Sequence, residues 1–168
     1  MIFFILYFRM KVLIIEDDTQ LNIALSEFFK IKTFDTVSVH DGMKAIEKID
    51  NGYFDLYIID INIPDINGLD VLKYIRKINL HTPIIIITAS LEIENFSDAF
   101  EYGCSEYIKK PFHLKELDIR VNKLLPVNNN GNIIKFNDDL YYDPDTKKCF
   151  YKNAHKYCRS LLSNYYLC

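Results

Sequence analysis

Five side chains of this 168-residue sequence are of the kinds that handle phosphate and a divalent cation: Glu16, Asp17, Asp60, Thr88 and Lys110. Each stands at the end of a run of β-forming apolar residues. Val12-Leu-Ile-Ile leads to Glu16 and Asp17, Leu56-Tyr-Ile-Ile to Asp60, Ile84-Ile-Ile-Ile to Thr88, and Tyr107-Ile108 to Lys109 and Lys110. Continuous apolar strands suit a sheet covered on both faces, and such sheets bind ligands beyond the carboxyl ends of their strands. With the first and third strands adjacent, the three carboxylates meet at one rim, where bare like charges repel and raise one another's pKa. A divalent cation removes that repulsion, and clustered oxygen ligands with spare water positions suit magnesium (Mg2+). Asp17 and Asp60 are expected as direct ligands, Glu16 through water, with the backbone carbonyl of Asn62 completing the site.

A carboxylate beside magnesium can attack phosphorus and form an acyl phosphate. The charge that develops on the phosphoryl oxygens then needs hydroxyl and cationic donors, which Thr88 and Lys110 supply. Lys110 also precedes Pro111, and a cis bond there would aim the ammonium inward. Each residue has a plainer role when taken alone. Asp60 could end a strand and cap a turn, Asp17-Asp18-Thr19 could cap a helix, and Thr88 could be a strand-end hydroxyl. Lys110 could be a solvated charge and Tyr107 ordinary strand packing. Their coincidence at one rim outweighs the separate readings.

The elements that must position these residues are legible from periodicity. Leu21, Ala24, Leu25 and Phe28 mark one helical face, followed by an alternating strand with Val37 and Val39 and a turn at Asp41-Gly42. Ala45, Ile46 and Ile49 mark a second helix, closed by Asn51-Gly52. Val71, Leu72, Ile75 and Ile78 mark a third, and Phe96, Ala99 and Phe100 a fourth with Gly103 at its C-cap. Leu114, Leu117, Val121 and Leu124 mark a fifth. Strand and helix alternate five times, which predicts an α/β fold with a doubly wound, five-stranded parallel sheet. Pro126 and the Asn128–Asn132 run break the pattern as a linker over 126–132. The residues beyond read as a short β-rich fragment, with strands at 133–136, 140–142 and 148–151.

Composition excludes several classes. A hydrophobic fraction of 49%, a charged fraction of 26% and a net charge of −3 are those of an ordinary globular protein without a strongly nucleic-acid-seeking surface. The four cysteines (Cys104, Cys149, Cys158 and Cys168) form no Cys-x-x-Cys pair, which argues against zinc or a disulfide framework and fits a reducing cytoplasm. The five glycines stand apart, so no Gly-rich phosphate cradle is present. Residues 1–9 hold an apolar run far short of the ~20 a spanning helix requires. They are expected to be an upstream extension, with translation beginning at Met10; the alternative is a short membrane-associating tail.

The quoted motifs resemble the receiver domain of bacterial two-component response regulators. The likeness covers residues 10–125 and rests on Ile-Ile-Glu16-Asp17-Asp18, Ile-Ile-Asp60-Ile-Asn-Ile-Pro64-Asp65-Ile-Asn-Gly68, Ile-Thr88-Ala89 and Tyr107-Ile-Lys-Lys110-Pro111-Phe112. The resemblance implies a CheY-like, flavodoxin-like fold and a phosphoacceptor, Asp60, charged by a sensor histidine kinase. It implies magnesium on Glu16 and Asp17, phosphoryl contacts from Thr88 and Lys110, and a switch in which Thr88 moves towards the phosphate and Tyr107 turns inward. The face made by the fourth helix, fifth strand and fifth helix would respond, and it is the candidate surface for a homodimer. Such a chain is a phosphoacceptor rather than an enzyme, with at most self-catalysed phosphorylation and dephosphorylation.

Residues 133–168 resemble the opening strands of the winged-helix DNA-binding domain of the OmpR/PhoB-type subclass. DNA reading needs a helix or ribbon in the groove. Lys156–Cys168 does not read as the expected helix start, so an incomplete domain from a truncated or frameshifted end is expected, and DNA is a partner only if the missing part is present. A competing class is a magnesium-dependent phosphatase of the haloacid-dehalogenase type. That family wants a second Asp two residues after the nucleophile, where this chain has Asn62, and its acidic ligands follow the nucleophile, whereas Glu16 and Asp17 precede it.

Overall fold

Ten fully buried isoleucines and leucines on three strands form the centre of the core: Leu13, Ile14, Ile15, Leu56, Ile58, Ile59, Ile84, Ile85, Ile86 and Ile87. At roughly 1.5–3 kcal/mol for each fully buried aliphatic side chain, this is the main apolar drive of the fold. The computed structural model describes residues 9–79, 81–89 and 93–125, and beyond them three short strands within 134–151. The upstream extension (apart from Arg9), the linker over 126–132 and the segment from Lys152 onward lie outside the described residues. The chain divides into two compact units, one of them Arg9–Pro126.

That unit alternates β1 (Lys11–Ile15), α1 (Thr19–Ile31), β2 (Asp35–Val39), α2 (Gly42–Asp50), β3 (Leu56–Asp60), α3 (Gly68–Ile78), β4 (Ile84–Thr88), α4 (Ile93–Glu101), β5 (Glu106–Lys109) and α5 (Leu114–Leu124). All five strands are parallel in the order β2-β1-β3-β4-β5, so β1 and β3 are neighbours, as the sequence predicts. Every residue of β3 and β4 is buried, as covering helices on both faces require. The second unit holds β6 (Ile134–Lys135), β7 (Leu140–Asp143) and β8 (Lys148–Tyr151), an antiparallel sheet in that order. This is the expected short β-rich fragment.

Helix ends follow their local chemistry. Asp18, Asp41 and Asn67 cap α1, α2 and α3 through side-chain oxygens that accept from first-turn amides. The Asp41-Gly42 turn is therefore a helix start, with Gly42 the first residue of α2. Gly103 has φ +93° and closes α4 with paired bonds, Gly103 N–H to Phe100 O and Cys104 N–H to Ala99 O. Thr33 plays the same part after α1 at φ 65°, with Thr33 N–H to Lys30 O and Phe34 N–H to Phe29 O. A threonine there adopts a backbone that its Cβ disfavours.

The helical faces differ from the periodicity in four helices. The buried face of α1 is Asn22, Leu25, Ser26 and Phe29, one residue on from the expected stripe, and Ala24 is exposed. Two polar residues occupy core positions there, and counting apolar side chains cannot see them. Phe96 and Phe100 of α4 are 49% and 44% exposed, leaving Ala99 as the buried member of that face. Ile78 and Leu114, at helix ends, are likewise exposed.

Candidate functional site

The rim above the carboxyl ends of β1, β3, β4 and β5 collects the predicted residues. Asp18 turns its Oδ1 to the amides of Gln20 and Leu21, at 2.8 and 2.9 Å, and so starts α1. This leaves the preceding Asp17 exposed at the mouth. Glu16 is only 1% exposed. Its backbone is fixed by Glu16 N–H to Val39 O, by Asn22 Nδ2 to Glu16 O at 2.9 Å, and by His40 Nδ1, 3.1 Å from the same carbonyl. Asn22 also donates to Val39 O, tying the ends of β1 and β2 together.

Asp60 ends β3 and is buried. The turn beyond it requires glycine at 68, because a Cβ there would lie 2.0 Å from the Asp60 carbonyl oxygen. Asp60 Oδ1 accepts from the Asn62 amide at 3.1 Å, and Oδ2 accepts from Lys110 Nζ at 2.6 Å. The same ammonium donates to both oxygens of Glu16, at 2.8 and 2.7 Å. One oxygen each of Glu16, Asp17 and Asp60 lies within 4.8 Å of the others. One cation on a long stem thus compensates two buried carboxylates, and a third carboxylate stands in solvent beside them.

The electrostatics follow from burial. Burial pushes the Glu16 carboxyl above its usual range and the Asp60 charge adds to this, while Lys110 opposes it. Burial alone would lower the Lys110 pKa, but hydrogen bonds to Asp60 and Glu16 outweigh it and the value rises. Three hard oxygen donors, two of them withdrawn from water and held by a single ammonium, are a donor set that fits magnesium.

Thr88 ends β4, is fully buried, and accepts on its carbonyl from the Lys110 amide at 2.8 Å. The Lys110-Pro111 bond is cis. Asn62 lies exposed at the mouth. Tyr107, half-buried on β5, meets the edge of Phe96 with ring centroids 5.1 Å apart, and burial raises its pKa. Glu16, Asp17, Asp60 and Lys110 are therefore in one cluster and Thr88 is joined to it through the backbone, while Tyr107 packs on α4. Sequence reading passed over Asn22 and His40, which hold the Glu16 backbone. The signal for Asn22 is an amide on an otherwise apolar helical stripe, and His40 carries no comparable signal.

Comparison with known proteins bears on the same residues. The model of the response regulator receiver domain matches residues 12–122. The transcriptional regulatory protein CiaR of Streptococcus pneumoniae is 35% identical over 115 residues, covering 68% of this chain and 51% of the relative. The chain spans about half the length of such curated relatives. The receiver domain of a Francisella response regulator has a TM-score of 0.64 at 35% identity, with 69% of this chain and 96% of that chain covered. The response regulator TrrA of Thermotoga maritima, solved with Mg(2+)-BeF, has a TM-score of 0.63 at 30% identity, covering 69% of this chain and 99% of that one. The phosphatase alternative finds no support among these likenesses. Strand order, acidic rim and family match agree: this chain belongs to the two-component response regulators, carries their receiver domain, and is of transcription-regulator lineage.

Proposed function

We propose that Asp60 is the phosphoacceptor of this receiver and that a sensor histidine kinase is the donor. The observation that carries the reading is the Lys110 ammonium shared between Asp60 and Glu16 beside Asp17. In the transfer, an Asp60 carboxylate oxygen bonds to phosphorus as the phosphorus–nitrogen bond of the donor phosphohistidine breaks. The imidazole leaves with that electron pair. The Asn62 amide orients the Asp60 carboxylate through Oδ1, leaving Lys110 to offer its donors to the incoming phosphoryl oxygens. The Thr88 hydroxyl would be the second hydrogen-bond donor to those phosphoryl oxygens.

Asp17, Asp60 and the Asn62 carbonyl would hold magnesium directly and Glu16 through water. When bound, the cation neutralises the clustered carboxylates and draws charge from the phosphoryl oxygens. Movement of Thr88 towards the phosphoryl group and of Tyr107 inward would repack the α4-β5-α5 face, a two-state element biased by new charge-assisted bonds. That face carries the exposed Phe96 and Phe100 and is our candidate for a homodimer contact. We assign residues 10–125 to the receiver, 126–132 to a linker and 133–168 to the opening strands of a winged-helix DNA-binding domain, and assign any DNA reading to a domain of that type. Among the described residues no helix is long and apolar enough to cross a membrane; we place the protein in the cytoplasm, acting as a phosphoacceptor and not as an enzyme on other substrates.

Intact-mass analysis after incubation with a small acyl-phosphate donor and magnesium tests this. One added phosphoryl group is expected, dependent on magnesium and absent in Asp60→Asn, which is close to isosteric and should keep the fold. Label uptake by Asp60→Asn at the wild-type level would remove Asp60 from the role.

A further inference from the structure

The loop after Asp60 is held by a residue outside the acidic cluster. Pro64 O accepts two amides, Ile66 N–H at 2.9 Å and Gly42 N–H at 3.1 Å. The first bond closes a three-residue turn around Asp65, whose φ of 68° is a backbone that few side chains adopt. The second uses a free amide at the start of α2, a group no intrahelical partner can satisfy. Gly42 is buried, and a Cβ there would stand 2.3 Å from Ile66 O and 2.6 Å from Ile66 Cβ. At the other end, Gly68 N–H bonds Ile61 O at 2.9 Å. Residues 61–67 thus run between two glycine contacts, and Asn62 lies between them.

We propose that Gly42 is a positioning residue for the cation half of the site: the start of α2 presses the Pro64–Ile66 turn into place and thereby fixes where Asn62 stands relative to Asp60. The inference rests on the magnesium reading above and extends it to an element that supplies no ligand. Relief of a 2.3 Å contact demands a backbone shift of roughly 1 Å, whereas ligand distances tolerate about ±0.2 Å. Residues that orient ligands without touching the metal are worth roughly 10- to 100-fold in affinity.

The test measures magnesium affinity by calorimetry, and thermal stability in chelator, for wild type, Gly42→Ala and Gly103→Ala in the full chain. Gly103 is the matched control: its left-handed backbone makes alanine strained, and its near neighbour is the Arg76 side chain. We expect Gly42→Ala to lose about tenfold in magnesium affinity. Gly103→Ala should lose stability and keep its affinity within about twofold. A folded Gly42→Ala that binds magnesium as wild type does, losing stability alone, overturns the proposal. If Gly42→Ala does not fold, Asp41→Ala decides. It removes the cap of α2, whose Oδ1 accepts from Lys44 N–H at 2.7 Å, and frays the same turn. Unchanged affinity there overturns the proposal, and a severalfold loss supports it. A wild-type chain that binds no magnesium overturns the metal reading and this inference with it, whereas binding by wild type and Gly42→Ala alike overturns the inference alone.

Discussion

At the residue scale, the site is a problem of charge held out of water. Glu16 and Asp60 are buried together, and Lys110, with 18% of its side chain exposed, is the ammonium that faces both. Removing one partner of a fully buried pair costs roughly 3–5 kcal/mol; with a partly exposed lysine we expect Lys110→Ala to lose about 2 kcal/mol in chelator. Magnesium should return part of that loss by replacing one cation with another. Urea denaturation with and without the ion checks both statements, and unchanged stability in chelator would show that Lys110 does not compensate the pair. The types and spacing of Glu16, Asp17, Asp60, Thr88 and Lys110 were readable because each ends an apolar strand. The sharing of one ammonium between Glu16 and Asp60 was not readable, since it depends on side-chain paths over separations of 94 and 50 residues. Nor was the division of labour between Asp17 and Asp18, where one aspartate caps a helix and its neighbour stays at the mouth.

At the scale of elements, local rules predict strands well and helix faces less well. β3 and β4 read unmistakably because every position is apolar up to the functional residue. Apolar periodicity puts the buried face of α1 one residue out because Asn22 and Ser26 occupy that face; Asn22 holds the ends of β1 and β2, whereas Ser26 Oγ is buried with no hydrogen-bond partner among the described residues. The end of α1 offers a direct experiment. Thr33 occupies the left-handed position that glycine fills after α4, so Thr33→Gly is expected to stabilise the protein by about 1 kcal/mol, seen as a rise of a few degrees in Tm. A fall in Tm would mean that the added freedom of the unfolded chain outweighs the relieved backbone. β5 and α5 offer another. Lys123 and Arg120 hold the nearly buried Glu106 at 2.6 and 2.7 Å, and these bonds, Lys123 first, keep its carboxyl below the ordinary value of 4.5. A depressed folded-state pKa contributes stability above the unfolded value and loses it as pH falls through the folded one. Glu106→Gln should therefore cost about 1 kcal/mol at neutral pH and flatten the acid limb of the stability curve below about pH 4.5. An unchanged acid limb would show that the pairing is not coupled to folding.

At the scale of the whole molecule, the core and the site sit in the same unit. The buried residues of β1, β3 and β4 and the helices over them all lie within Arg9–Pro126, as do all three carboxylates and Lys110. A domain of that size buries enough surface to fold alone. A fragment ending at Pro126 is therefore expected to unfold in one cooperative transition, and to keep both magnesium binding and phosphoryl uptake. Linkage makes the comparison quantitative: a ligand at 100 times its dissociation constant stabilises the native state by about 2.7 kcal/mol, so full chain and fragment should gain equally from the same excess of magnesium. Chemical denaturation of both forms, with magnesium and with chelator, measures the two gains. A fragment that folds but gains distinctly less would assign part of the cation site's support to residues beyond 126. That dependence would be invisible in the strand and helix pattern, because periodicity reports which residues share a face and not which unit holds them there.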